Sequence, residues 1–468
     1  MTPAEPPPPP IVGVSGGADG IDAHLDDMES TAGLIGGVGA DMTLLALTGH
    51  RYLADPGVLA SAVLDPAGSA RFEWAMLRAL DGDGGLTTVA VGIGVSAVKL
   101  KAAAVAYRTA DSMQAAFMDA AEFVMAPVTF VVSVGGLLAI SGKHVLEGDG
   151  VVQALQHTIT DHPGIVDGAV GSVPGLLATL GAVNPLARGA WGAMGYPTTV
   201  PAGAAGLARL YPDGRPTVRP LGHDESQGAI TPPATLKNVL EGLASRNGHE
   251  GEIDVRVVET TDARGNVHRS VIVDIPGTKV WNPPGHDTDM IQDLGTNLHG
   301  VANDTTSYER AVRIALDKAL DDAGVKPGDH VPVMLVGHSQ GGIVAAHAAG
   351  NLGSDRYDVT HVVTAGSPVG EVDIPERVRV LSIENTHDVI PHLDSQENPD
   401  RSNWTTVRVD EQRGSIKANH AIDASYVPAA AAIDDSRDPS IRAYLDSAAA
   451  FLDGTDVTTS RFAVGREP

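Results

Sequence analysis

Five residues, Gly337-His338-Ser339-Gln340-Gly341, place a serine between two glycines where an apolar run at 333–336 gives way to a helix of small and apolar residues. A G-x-S-x-G between strand and helix is a turn so sharp that a Cβ at Gly337 or Gly341 is predicted to clash. Ser339 would then sit strained and exposed at the carboxyl end of the strand, with the amides of the following helix aimed at the same spot. A serine hydroxyl is a poor nucleophile until a base takes its proton. In such elbows an acid and then a histidine follow in chain order, each past a strand end. Asp388 meets the first condition, lying just beyond a strand expected at 378–383. Asp373 precedes that strand, and Asp394 and Asp400 lie further into the loop. His420 meets the second condition, following a strand expected at 405–409. His387 and His392 come too early in the order. The turn is expected to point His338 elsewhere, and His347, on the elbow helix, reads as structural. Acyl chemistry would also need donors for a developing oxyanion. The amide of Gln340, next after the serine, is one candidate. The loop Ile275-Pro-Gly-Thr278 is the other, with Gly277 letting the backbone approach closely.

The elements that must hold these residues alternate in type. A short helix over 236–243 precedes alternating apolar and polar residues at 253–258, a turn at 263–266, and a second such run at 267–275. This predicts a β-hairpin at the antiparallel edge of a sheet. Ala311, Val312, Ala315, Leu316, Ala319 and Ala323 recur at helical spacing, with a stop at Gly324. The elbow strand and helix follow, then strands at 359–363, 378–383 and 405–409. A final helix is expected from an Asp438 N-cap and Pro439 to Gly454. Strands alternating with helices imply a mostly parallel sheet covered on both faces. The expected class of this half is therefore α/β.

The first half reads differently. Residues 21–204 hold almost no strand signal and predict an all-α domain over 21–210, built from Ala, Gly and Leu. One helix is expected within 21–53, a connection punctuated by Pro56 and Pro66, and a helix from Leu86 towards Phe117. Pro6 to Pro10 suggest a disordered Pro-rich tail over 1–20, and the Pro, Gly and Asp of 211–233 suggest a linker. The stretches 123–142 and 168–187 carry no charge over a bilayer's length. Their Gly and Pro favour a buried hairpin, so a soluble chain is expected, with membrane contact only conditional. The net charge of −26 argues against nucleic acid and against attraction to anionic lipid. Without cysteine, thiol catalysis and disulfides are excluded. No motif calls for a cofactor or metal. The N-terminus lacks the basic and apolar regions of a Sec signal peptide.

Two resemblances extend this reading. Tyr107-Arg-Thr-Ala-Asp111 fits the Y-x-x-x-D/E signal of helical modules on type VII secretion substrates of actinobacteria, although their Trp-x-Gly turn is missing and Trp74-Ala-Met76 is the nearest approach. This implies a cytoplasmic protein or one exported by such a route, with secretion machinery as a partner of the helical half. Over 234–426 the chain resembles the class 3 (fungal-type) lipases of the α/β-hydrolase superfamily. The residues that carry this are Pro276-Gly-Thr278, Asp293-Leu294, Gly337-His-Ser-Gln-Gly-Gly342, Thr364-Ala-Gly-Ser-Pro-Val-Gly370, Asp388-Val-Ile-Pro391 and His420. The resemblance implies an α/β-hydrolase catalytic domain over 234–468, with Ser339, Asp388 and His420 as triad and Thr278 and Gln340 as oxyanion donors. It implies a lipase or esterase acting on lipid or other carboxylic esters. Pro276 replaces the family's Arg, and a polar loop with Asp287, Asp289 and Asp293 stands where an apolar lid helix is usual. A phospholipase-type effector, an acyltransferase and a non-enzymatic binding protein on the same scaffold are the alternatives.

Overall fold

The structure, a computed structural model, describes residues 7–18, 25–53, 55–82, 84–108, 170, 178, 185–222, 231–262, 264–285 and 288–467. The chain forms two compact units, residues 22–149 and residues 1–21 with 150–468.

The described part of the first unit is helical: α1 (Leu25–Leu53), α2 (Pro56–Leu64), α3 (Pro66–Asp81) and α4 (Leu86–Arg108). Pro56 and Pro66, expected to mark a connection, instead open helices, because the first helical position needs no amide hydrogen. Asp65 caps α3 by accepting the Gly68 amide at 2.9 Å. Small residues let α1 and α4 lie close: a Cβ at Gly39 would stand 3.2 Å from Ile93 and 3.3 Å from the Ala90 carbonyl. Larger apolar side chains, among them Leu34, Leu44, Leu45 and Trp74, remain exposed. The stretches Thr31–Ala60 and Pro66–Ala102 are long and apolar enough to cross a membrane by length and composition alone. The expected apolar stretch 123–142, most of 168–187, Asp111 and Phe117 lie outside the described residues.

The second unit contains a nine-stranded sheet. Its elements are β1 (Ile11–Gly16), α5 (Pro185–Ala193), α6 (Val200–Ala208), β2 (Arg215–Gly222), α7 (Leu236–Ser245), β3 (Glu252–Thr261), β4 (Val267–Ile275), α8 (Leu294–Val301), α9 (Ser307–Asp322), β5 (Val331–His338), α10 (Gln340–Asn351), β6 (Tyr357–Ala365), β7 (Arg379–Asn385), β8 (Trp404–Val409), α11 (Ile416–Asn419), α12 (Val427–Asp434), α13 (Pro439–Ser447), α14 (Ala449–Leu452) and β9 (Asp456–Glu467). The strand order is β1-β8-β7-β6-β5-β4-β3-β9-β2. Strands β4 through β8 run parallel. The outer pairings β1–β8, β3–β4, β3–β9 and β2–β9 are antiparallel. Alternate side chains of the central strands feed two cores. Val273, Val333 and Leu335 pack with Ala315 and Leu316 of α9 and Val344 of α10. Ile272, Met334 and Val336 pack with Leu240 of α7, Ala430 of α12 and Ile441 of α13. Burial on both faces is what makes these strands read as continuous apolar runs.

Several boundaries differ from expectation. The tail assigned to 1–20 contains β1, an edge strand paired with β8. The linker assigned to 211–233 contains β2, and nothing in the sequence anticipates β9, which joins β2 to β3. The hairpin β3–β4 is therefore interior to the sheet. Pro216 and Pro220 disguised β2, yet proline is tolerated on a sheet edge because the missing amide faces outward. Helices α5 and α6, assigned to the helical half, belong to the sheet's unit. The segment after α6 is pinned to that unit: the Tyr211 hydroxyl donates to the Asn282 carbonyl at 3.1 Å, and the Asp213 carboxylate accepts from the Ser307 amide at 2.6 Å and Arg310 at 2.7 Å.

Candidate active site

Strand β5 ends at His338 and α10 begins at Gln340, so Ser339 alone makes the turn between them. Its backbone sits at φ 56° and ψ −126°, a conformation that L side chains rarely adopt. The flanking glycines are required sterically. A Cβ at Gly337 would lie 2.1 Å from the Gly341 carbonyl oxygen, and one at Gly341 would lie 1.8 Å from that of Ile275. The Ser339 hydroxyl does not cap the helix behind it. The first amides of α10 have no carbonyl partner within their own helix.

The acid and the histidine converge from separate strand ends. Asp388 follows β7 and is fully buried. Its Oδ1 accepts the Ile390 amide at 3.0 Å, and its Oδ2 is 2.6 Å from His420 Nδ1. His420 follows α11, beyond β8. With Nδ1 held by Asp388, its Nε2 is the nitrogen left for other work. The loop carrying His420 is tied down by Asn419, whose side chain donates to the His387 carbonyl at 2.9 Å and accepts the Arg413 amide at 2.7 Å. Four of the rival residues are engaged elsewhere. Asp373 is exposed beside Arg401, and Asp394 accepts the Gly370 amide at 2.8 Å. His387 pairs with Asp410 at 2.8 Å, and His347 donates to the Gly300 carbonyl at 2.9 Å.

Two side chains enter the site that sequence reasoning missed or misplaced. Tyr426 donates its hydroxyl to Asp388 Oδ2 at 2.5 Å, so that oxygen serves both Tyr426 and His420. Burial, and then the Asp388 charge, hold the Tyr426 phenol well above its ordinary pKa, which keeps it a donor. Gly366, at φ +59°, leaves room for it: a Cβ there would lie 2.6 Å from the Tyr426 hydroxyl oxygen. Nothing in the sequence pattern marks Tyr426. His338, expected to point elsewhere, lies against His420 with ring centroids 4.6 Å apart. Its Nε2 donates to the His420 carbonyl at 2.8 Å. Burial, and then the neighbouring His420, push His338 well below the usual imidazole pKa, so it serves as a neutral brace.

The oxyanion candidates frame the same point. Gly277 approaches so closely that a Cβ would lie 2.8 Å from the Ser339 Cβ. Thr278 is held by Asn297, whose amide donates to the Thr278 hydroxyl at 2.8 Å. The Gln340 side chain is engaged, donating to the Asp293 carbonyl at 2.6 Å, so the oxyanion candidate at this residue is its backbone amide. Asp293, expected in a polar loop, is fully buried and caps α8 by accepting the Thr296 amide at 3.0 Å. Asp287 lies outside the described residues. Ser339, His420, Gln340, Gly277 and Thr278 all line one cavity of about 640 Å³, whose remaining wall is mostly apolar. Among the described residues, no group of three or more His, Cys, Asp and Glu side chains is placed to hold a metal ion. Comparison with family models, curated proteins and solved structures finds no match to the chain.

Proposed function

We propose that this protein is a serine ester hydrolase of the α/β-hydrolase type, cleaving lipid or other carboxylic esters through an acyl-enzyme on Ser339. The observation that carries the reading is one cavity shared by a strained elbow serine and a histidine whose Nδ1 lies 2.6 Å from a buried carboxylate. In this reading His420 Nε2 takes the hydroxyl proton as Ser339 Oγ bonds to the ester carbonyl carbon. The resulting oxyanion receives hydrogen bonds from the Gln340 amide and from the Gly277–Thr278 loop. The imidazolium, steadied by Asp388, returns its proton to the departing alcohol oxygen as the carbon–oxygen ester bond breaks. Water then repeats the cycle on the acyl-enzyme, releasing the acid and restoring Ser339. A fluorophosphonate probe tests the reading directly. Mass spectrometry is expected to place one adduct on Ser339, and an adduct elsewhere, or none in folded protein, sinks it.

Tyr426 has a defined part in this chemistry. Tyr426→Phe keeps the ring, which lies 5.7 Å from that of His338, and removes only the hydroxyl. Hydrogen bonds to charged groups contribute about 1.5–3 kcal/mol, so kcat is expected to fall roughly ten- to a hundredfold. KM should stay close to wild type, because the hydroxyl touches Asp388 and not the cavity. Unchanged kcat in ester hydrolysis would show that Asp388 is positioned without it.

A further inference from the structure

The cavity at Ser339 is bounded on one side by residues of the hydrolase-like region: Leu294 and Leu298 of α8, and Ile343 of α10. Another stretch of its wall comes from a different part of the chain. Met194 and Pro197, in the turn between α5 and α6, and Val200, Gly203, Ala204 and Leu207 of α6 form it. These residues precede in sequence everything that resembles a hydrolase. Their helix packs directly on α8.

This hairpin is a braced piece of structure. The Trp191 indole donates to the Pro197 carbonyl at 2.9 Å and meets Tyr196 edge-on with centroids 5.1 Å apart. Gly206 brings α6 against the end of α5, since a Cβ there would lie 2.4 Å from the Met194 carbonyl oxygen. After α6 the chain is anchored through His299, whose Nε2 donates to the Tyr211 carbonyl at 2.8 Å. The wall therefore has a set position relative to Ser339.

On the proposed esterase reading, we infer that the α5–α6 hairpin is the specificity-determining element of this enzyme. It forms part of the wall of an acyl-chain site and selects esters with a single apolar acyl chain of medium to long length. The cavity of about 640 Å³ suits such an occupant. It lies within the roughly 300–1,000 Å³ range of small-ligand sites. The six hairpin residues that line it carry no charge and no strong hydrogen-bonding side chain, so an alkyl chain lying against them desolvates no polar side chain of theirs; the polar lining, Asn247, Asn297 and Lys417, comes from other elements. Each methylene buried should raise kcat/KM by about fourfold. Gly203 is the place where length is set. Gly203 lines the cavity, and a Cβ there meets nothing nearer than Pro197 Cβ at 3.9 Å, so a side chain can be introduced at this point of the wall.

The experiment compares p-nitrophenyl esters from acetate to dodecanoate, which keep one leaving group and vary only the acyl chain. For the wild-type protein kcat/KM is expected to rise with chain length, by about a hundredfold or more over the series. Gly203→Leu, which also raises helix propensity and so should not unfold α6, is expected to lower the dodecanoate-to-butyrate ratio by about tenfold. Leu207→Ala, at a half-exposed position where truncation is tolerated, should lower the same ratio by about threefold. Circular dichroism and the fluorophosphonate adduct establish that each variant is folded with a working elbow. A ratio unchanged in both labelled variants overturns the inference, as does a wild-type protein that hydrolyses the series without preference for length. Folded wild-type protein that hydrolyses no member of the series, and takes no label, overturns the esterase reading on which the inference rests.

Discussion

Ser339→Ala is expected to lower kcat for ester hydrolysis by about a million-fold, the order seen when a serine protease loses its nucleophile. The loss is large because, in the proposed mechanism, the acyl bond forms on Ser339 Oγ, the hydroxyl carried on the strained elbow. His420 would retain its partner but have no hydroxyl to deprotonate. Residual turnover would come from the oxyanion donors and from binding alone. The fold should survive, because alanine at φ 56° meets the same backbone strain as serine and the lost hydroxyl caps nothing. Steady-state hydrolysis with thermal unfolding on the same samples checks both halves of the expectation. A loss smaller than about a hundredfold would mean that the chemistry lies elsewhere.

The second large effect is expected from Asp388→Asn, which should cut kcat by about ten-thousand-fold. The geometry explains why an isosteric change is so damaging. Asp388 Oδ2 accepts from both His420 Nδ1 and the Tyr426 hydroxyl, while Oδ1 accepts the Ile390 amide. An asparagine has only one oxygen for these donors. If that oxygen takes the Ile390 side, its NH₂ faces His420 and forces Nδ1 to accept, which places the ring proton on Nε2. That tautomer cannot receive the Ser339 proton. If the oxygen takes the other side, the NH₂ meets the Ile390 amide donor against donor. Asp394→Asn serves as the control, because its carboxylate is engaged by the Gly370 amide in a different turn. It should leave kcat within about tenfold of wild type, because the hydrogen bond it weakens holds the Gly370 turn and not Asp388 or His420. The reverse pattern, with Asp394→Asn inactive and Asp388→Asn active, would remove Asp388 from the proposed triad.

What could be read from sequence was local. The elbow needs two glycines at set spacing from a serine, and the clash that demands them involves Gly337, Gly341 and backbone a few residues away or on the adjoining strand. The parallel strands announce themselves because both faces are buried, as Met334 and Leu335 are on opposite sides of one strand. Asp438 and Pro439 marked the start of α13 because capping acts within one turn; Asp438 accepts the Ser440 amide at 2.9 Å. Asp388 and His420 followed from chain order, and the structure brings them to 2.6 Å.

The remainder depended on contacts between distant parts of the chain. Strands β1, β2 and β9 are defined by their partners: Val14 pairs with Val407, and Val218 with Val464, across separations that no periodic pattern records. Pro216 and Pro220 are tolerated because β2 lies at a sheet edge, a position that exists only once the sheet has formed. Tyr426 reaches Asp388 because Gly366 leaves space beside it, and His338 turns onto His420 because that loop returns over the elbow. Helices α5 and α6 look in sequence like more of the Ala- and Gly-rich first half. Their place as the wall of the Ser339 cavity is decided by packing on α8 and by the Tyr211 and Asp213 anchors, because a cavity belongs to the surfaces that enclose it and leaves no periodicity in any one of them.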